Sequence, residues 1–296
     1  MTIYPVMKYR YWFVALLGVI TLFAFVAVFV VGLDLGIEFE GGARLEVILD
    51  QGEPNTAIVR DAFEAAGVDS PRVQAVGDGS FVVTAEELTD EELDAALAGL
   101  GEFGAQRGAT GIERVGPSFG DETANKAFIA VLAAIAAIIL YITWRFEFKY
   151  ALPAIAALVH DVGLTLGLYA VTGRLVTTAT MAAVLTVLGY SINDTIIVFD
   201  RIRENTPLMR KESYARMVDR SIRQTLVRSI NTSLSTLLPV GAILLFGGAT
   251  LQDFAFALFV GIAAGTYSSI FVASPLLVIW KEREPRYRKR ALAEQA

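Results

Sequence analysis

The sequence contains no cysteine and one histidine. That excludes disulfides and thiolate chemistry, and leaves no basis for a histidine-built metal centre. Charge is also scarce, with Asp, Glu, Lys and Arg making up 19% of 296 residues against 54% hydrophobic ones. Several apolar runs approach the ~20 residues that cross the hydrocarbon of a bilayer. This is the composition of a polytopic α-helical membrane protein. No basic patch suited to nucleic acid stands out, and no catalytic cluster or cofactor motif is visible, so neither enzyme chemistry nor a cofactor is expected.

What charge there is lies unevenly. Residues 34–122 hold 20 acidic and 5 basic side chains, a local charge of −15, while the whole chain carries −6. The remainder is therefore basic by +9, which fits an acidic aqueous domain on one side of a membrane and basic loops on the other. Six spans are expected, at 11–33, 127–143, 151–171, 179–199, 229–246 and 254–280. Lys8 and Arg10 precede the first span, and no small-residue cleavage site follows it, so residues 1–10 are placed in the cytoplasm and the span is read as uncleaved. Arg145 and Lys149, the seven basic residues of 200–226 and the basic tail at 282–296 then fall on the same side. Residues 200–226, with Tyr214, Met217, Val218 and Ile222 at helical spacing, read as an amphipathic helix on the inner surface of the bilayer.

Between the first span and the 123–281 membrane block, residues 34–122 alternate strand and helix signals. Strands are expected at 43–49, 72–76, 80–84 and 111–115, with helices at 55–66 and after Thr89, where Thr89-x-x-Glu92 has the form of a capping box. The order βαββαβ is that of a small α+β, ferredoxin-like domain. Its carboxylates between Glu86 and Asp94 read as a solvated face and helix start, since the loop spacing of a calcium site is missing.

Charges inside the spans carry the functional signal. Asp194 lies six residues before the charged exit at Asp200, about 9 Å inside that boundary at ~1.5 Å per residue. A charge in hydrocarbon costs at least ~2.5 kcal/mol, so it faces other helices or a water-filled cavity and marks a functional site. Ser191, Asp194 and Thr195 form one polar stripe; Arg228, Asn231, Thr232 and Ser235, at i, i+3, i+4 and i+7, form another on the next span. Arg228 is the expected partner of Asp194. An Arg held close would keep the carboxylate ionised, and its withdrawal would favour proton uptake, the chemistry of a proton-driven switch. A static ion pair ordering helix packing is the alternative. Asp161, with His160 beside it and Thr165 one turn on, lies ten residues into the third span and reads either as a second relay carboxylate or as one satisfied by neighbouring hydroxyls or by His160. His160 itself reads as a proton carrier or a hydrogen-bonding strut. Gly163-x-x-x-Gly167 and Gly261-x-x-x-Gly265 are expected to bring helices into close contact, with residues 266–269 adding a polar lining.

Several runs together resemble a known family. Gly36-Ile37-Glu38-Phe39-Glu40-Gly41-Gly42, Val159-His160-Asp161-Val162, Ser191-Ile192-Asn193-Asp194-Thr195, Val198-Phe199-Asp200-Arg201-Ile202-Arg203-Glu204-Asn205 and Phe246-Gly247-Gly248 are similar to the SecF family of protein-export membrane proteins, across essentially the whole chain. The resemblance implies half of a resistance-nodulation-division transporter fold in a bacterial or archaeal plasma membrane. It further implies SecD as membrane partner and the SecYEG channel and an unfolded preprotein on the extracytoplasmic side as wider partners, with protons as the driving species. By position, Asp194 and Arg228 match the family's essential membrane Asp and Arg, with Asn193 in the same motif. Glu38 and Glu40 depart from the family's usual Asp and small hydroxyl residue, a difference confined to one loop. Without the resemblance, a proton-coupled efflux half of the same superfamily or a non-conducting assembly subunit fits the same charges.

Overall fold

The computed structural model describes residues 5–77, 79–209 and 212–287. Expectations placed on residues 1–4, Asp78, Arg210, Lys211 and the tail beyond 287 lie outside them. A short turn at Val6–Tyr9 leads into α1 (Arg10–Val30), and one turn of helix, α2 (Ile37–Glu40), precedes the aqueous domain. There the order is β1 (Gly42–Ile48), α3 (Thr56–Ala65), β2 (Arg72–Gly77), β3 (Ser80–Ala85), α4 (Asp90–Gly99) and β4 (Gln106–Val115). The four strands form one antiparallel sheet in the order β2-β3-β1-β4, the split βαβ plan expected from the sequence. Alternate residues of β1, Ala43, Leu45 and Val47, are buried against Val59 and Phe63 of α3 and Leu93, Ala96 and Leu100 of α4. The period-two pattern thus buries one face and leaves the other to the solvent.

Both domain helices start on side-chain caps. Asn55 accepts hydrogen bonds from the backbone of Ala57 and Ile58 at 2.9 and 3.0 Å. At α4 the Thr89–Glu92 capping box forms in full, and the Thr89 backbone N–H and hydroxyl hold the Glu92 carboxyl below its usual range. They do so because hydrogen bonds to a carboxylate favour its charged form.

The membrane block comprises α5 (Pro117–Arg145), α6 (Phe148–Thr172), α7 (Thr178–Asn205), α8 (Tyr214–Phe246) and α9 (Ala249–Ser268), which passes through a π-helical turn at Ser269–Ala273 into α10 (Ser274–Lys281). With α1 they make six stretches long and apolar enough to cross a membrane among the described residues. They divide into two classes by burial. More than half of the apolar window of α6, α7 and the α9–α10 stretch is buried, against 17% for α1 and α8 and 6% for α5. The first three are the interior of the bundle, and the others expose their surface to lipid or to another chain.

Two segments differ from expectation. Residues 214–226 are the first turns of α8, continuous with the fifth span, and their apolar residues Tyr214, Met217, Val218 and Ile222 are buried with Met7, Phe199 and Ile202. The apolar stripe that suggested a lipid surface covers protein instead, because α7 extends to Asn205 and offers it a partner. Asn205 Nδ2 donates to Ser221 Oγ at 2.8 Å and fixes that contact. The second span, expected at 127–143, is part of a longer helix that begins at Pro117. Gly116 alone separates β4 of the domain from α5.

Candidate functional site

The interior helices meet through small residues. A Cβ on Gly265 of α9 would lie 2.8 Å from Ser191 Cβ of α7, one on Gly261 would collide with Val187, and one on Gly167 of α6 would lie 2.6 Å from Ala24 Cβ of α1. Both glycine pairs are thus contact points, as the spacing suggested: the α6 pair seats α6 on α1, and the α9 pair seats α9 on α7 closely enough for short polar side chains to meet there.

Asp161 occupies the centre of this contact with no exposure to solvent. Its Oδ2 accepts hydrogen bonds from Ser191 Oγ at 2.5 Å and Ser268 Oγ at 2.9 Å, while Oδ1 is buried with no hydrogen-bond partner among the described residues. Beside it, Thr195 Oγ1 and Ser269 Oγ lie 3.0 Å apart. Thr165 donates to the backbone carbonyl of Asp161 instead of its carboxylate. The π-helical turn begins at Ser269, where the extra residue per turn brings Ser268 and Ser269 to α6 and α7 together.

His160 points the other way. Thr21 donates its single proton to the Leu17 carbonyl at 2.7 Å, so its oxygen, 2.6 Å from His160 Nδ1, accepts. Tyr267 OH lies 2.8 Å from Nε2. A neutral imidazole with its proton on Nδ1 satisfies both contacts, and the ring acts as a strut between α1 and α9. Hydroxyls, not His160, serve Asp161.

Asp194 is 3% exposed. Its Oδ1 accepts from Ser229 Oγ of α8 at 2.9 Å, and Oδ2 is buried without a hydrogen-bond partner among the described residues. Arg228, the partner expected from the sequence, does not pair with it in this chain. Its side chain is exposed, as are those of Asn231, Thr232 and Ser235 along α8 and Asn193 on α7. The helix is turned so that Ser229 and Ser233, four residues apart, face inward, and Ser233 Oγ lies 2.7 Å from Thr266 Oγ1 of α9. Here α8 meets α9 through the short side chains Ser233 and Thr266, while larger ones, Leu237, Val240 and Leu244, pack further along. Sequence reasoning missed Ser229, although the inward repeat Ser229, Ser233 was there to be found beside the more conspicuous Arg228 stripe. No Lys or Arg nitrogen lies within 4.0 Å of either carboxylate among the described residues. Nor do three metal-ligating side chains gather anywhere among those residues.

The Asp194 helix is also tied to the aqueous domain. Just before α7, Val176 donates to the Asp34 carbonyl at 2.8 Å and accepts from Gly36 at 2.9 Å, so the linker after α1 pairs with the start of α7. Gln74 of β2 donates to the Gly173 carbonyl at 2.7 Å, and Arg72 lies 3.8 Å from Asp34 and 3.6 Å from Glu40.

Comparison with known proteins adds three findings. Residues 99–283 match the family model described as "Protein export membrane protein SecD/SecF, C-terminal". The protein translocase subunit SecF of Desulfurispirillum indicum is 39% identical over 96% of this chain and 95% of its own length, and the protein translocase subunit SecDF of Thermus thermophilus is 42% identical over 86% of this chain and 36% of its own. The crystal structure of SecDF from Thermus thermophilus, described as a translocon-associated membrane protein, superposes with a TM-score of 0.87 at 37% identity, covering 95% of this chain and 39% of that longer one.

Proposed function

This chain belongs to the SecF family of protein translocase subunits, within the SecD–SecF complex, and from that premise we propose that it couples proton movement through the membrane to export of an unfolded preprotein emerging from a SecYEG channel. Asp194 is the proton-binding group in this reading, and Arg228 faces SecD. The observation that carries it is the split state of the two charges. Asp194 is buried with one oxygen unserved, whereas Arg228 stands exposed in a polar stripe on a membrane helix. An Arg facing hydrocarbon costs at least ~2.5 kcal/mol, so that stripe calls for a partner surface with membrane carboxylates, which the SecD half would supply.

Protonation of Asp194 from the outer side removes its need for charged or hydroxyl donors and loosens α7 from Ser229 of α8. Because the linker at 34–36 pairs with Val176 at the head of α7, a shift of α7 is passed directly to the aqueous domain, placed outside by the basic flanks of the spans. Release of the proton inward resets the helices. One proton crossing 100 mV supplies ~2.3 kcal/mol, roughly a 50-fold shift of a two-state equilibrium.

The test is proton flux into vesicles holding this chain with its SecD partner and an exporting substrate, comparing wild type with Asp194→Asn and Arg228→Met at several pH values. Substrate-stimulated flux lost in both variants, with the complex intact, is the expected result. Flux unchanged in either variant would mean that the group concerned is structural and the proposal is wrong.

A further inference from the structure

At the end of the bundle where α1 begins and α10 ends, a cavity of about 430 Å³ opens between α5, α6, α7 and the segment after α10. Four cations line it, Arg145, Arg203, Lys281 and Arg286, against the single carboxylate Glu147. Two of the four are already paired: Lys281, with its side chain 7% exposed, to Glu147 at 2.7 Å, and Arg145 to Asp200 at 3.2 Å. Neither of the other two lies within ion-pair distance of a carboxylate among the described residues, although the Arg203 charge reaches Glu147 from further off. Arg203 donates to the Arg145 carbonyl at 3.2 Å, and Arg286 stacks over Tyr287 at 5.6 Å. The walls are stiff, since Tyr287 packs on Tyr214 at 4.9 Å and Lys281 lies over Tyr150 at 5.4 Å.

We propose that this cavity binds the phosphate of an anionic phospholipid, with Arg203 and Arg286 as its ligands. Two guanidinium groups in excess over carboxylates suit a phosphate, which accepts paired N–H bonds from Arg. What favours a lipid over an acidic protein segment is the surface directly below. Leu140, Tyr141 and Trp144 of α5 are exposed in sequence along the helix, and Trp144, 82% exposed, sits at the cavity rim. Tryptophan at that position marks the headgroup level, and the apolar strip beneath offers a bed for acyl chains. Charge at the rim with an uninterrupted apolar strip leading away is the outline of a phospholipid.

Native mass spectrometry of the full chain, purified with its SecD partner and titrated with phosphatidylglycerol, phosphatidylcholine or inorganic phosphate, tests the site. Wild type is expected to hold phosphatidylglycerol roughly tenfold more tightly than the Arg203→Gln, Arg286→Gln double variant, as befits loss of charge-assisted contacts. The Arg203→Lys, Arg286→Lys variant, which keeps the charge, retains most of the binding. Lys8→Gln with Arg283→Gln, removing two exposed cations from the same end, leaves it unchanged. Equal affinity in wild type and the Gln variant, or an equal loss in the Lys8 and Arg283 control, overturns the site. Displacement of the lipid by inorganic phosphate at equal affinity would assign it to free phosphate instead. Capture of a protein segment, not lipid, by a photo-crosslinker at residue 144 in native membranes would overturn the lipid as occupant.

Discussion

Replacing Gly265 by alanine should break the contact on which the buried carboxylate depends. The new methyl would lie 2.8 Å from Ser191 Cβ and 3.1 Å from its Cα, and the second of these is backbone that no rotamer change can remove. Ordinary carbon contact is about 3.5 to 4.0 Å, so α9 must back away from α7 by about 0.8 Å. Directed along the Ser268–Asp161 bond, that displacement stretches 2.9 Å to about 3.7 Å, beyond hydrogen-bonding reach. Overpacking of this kind costs ~1–3 kcal/mol, and a buried acceptor losing one of its donors adds ~1–3 kcal/mol. Because the helix moves either to relieve the clash or to keep the bond, the two penalties overlap, and a total of roughly 2–4 kcal/mol is expected. Equilibrium unfolding in mixed detergent micelles would measure it, with Gly18→Ala as reference. Nothing lies within 4 Å of a Cβ on Gly18, so that variant shows only the gain of up to ~1 kcal/mol in helix propensity common to both. If Gly265→Ala is as stable as Gly18→Ala, the close approach of α9 to α7 is not what holds the Asp161 cluster.

Two further outcomes follow from the same geometry. Ser191→Ala and Ser268→Ala each remove one donor from Asp161 Oδ2, so each should cost ~1–3 kcal/mol in the same unfolding assay; the double variant should depart from the sum of the two, since both act on one oxygen, and strict additivity would show that they do not share it. At the terminal end of the bundle, the Lys281 hydrogen bond holds the Glu147 carboxyl below its usual range. A depressed folded value contributes stability above the unfolded pKa of ~4.3 and loses it as pH falls through the folded value. Hydrogen exchange at residues 146–150 should therefore rise on acidification below that range, and Lys281→Met should abolish the pH step. A step of equal size in Lys281→Met would assign it to another group.

The aqueous domain was legible because its signals are local. The Thr89–Glu92 box, the alternation of β1 and the hairpin between β2 and β3 each follow from neighbours in the chain, and a one-faced sheet leaves little choice of register. The six spans were legible for a similar reason, since hydrocarbon thickness dictates their length. What the chain hid was rotation about the helix axes. One residue along an α-helix turns the face by about 100°, so choosing Arg228 in place of Ser229 as the partner of Asp194 moved the whole stripe of α8 from outside to inside. The same limit applied to residues 214–226, whose apolar side was visible but whose covering surface, the extension of α7 to Asn205, depends on how two helices far apart in sequence meet.

The rotation of α8 has a consequence for what this chain is able to do alone. In water, a helix turns its large charged residues outward and its small ones inward, and that arrangement is stable. In a bilayer the outward face meets hydrocarbon, where Thr232 and Ser235 donate to carbonyls of their own helix but Arg228 and Asn231, continued by Asn193 on α7, have no solvent to satisfy them. Two ways out exist. Either α8 rotates to bury the stripe, which would expel Ser229 from Asp194 and Ser233 from Thr266, or another membrane surface covers it. The first exchanges two formed hydrogen bonds for a guanidinium brought in beside Asp194 and Thr266. The second leaves every contact of the bundle in place. A polar, uncovered face on helices whose inner sides are closed is what half of an interface would present, and Asp194, bonded to Ser229 on the inner side of α8, lies behind it. Under the proposed coupling, a charge on the partner's side of that face would reach Asp194 across α7 and α8, and the proton-binding unit would be the pair of subunits, not this chain alone.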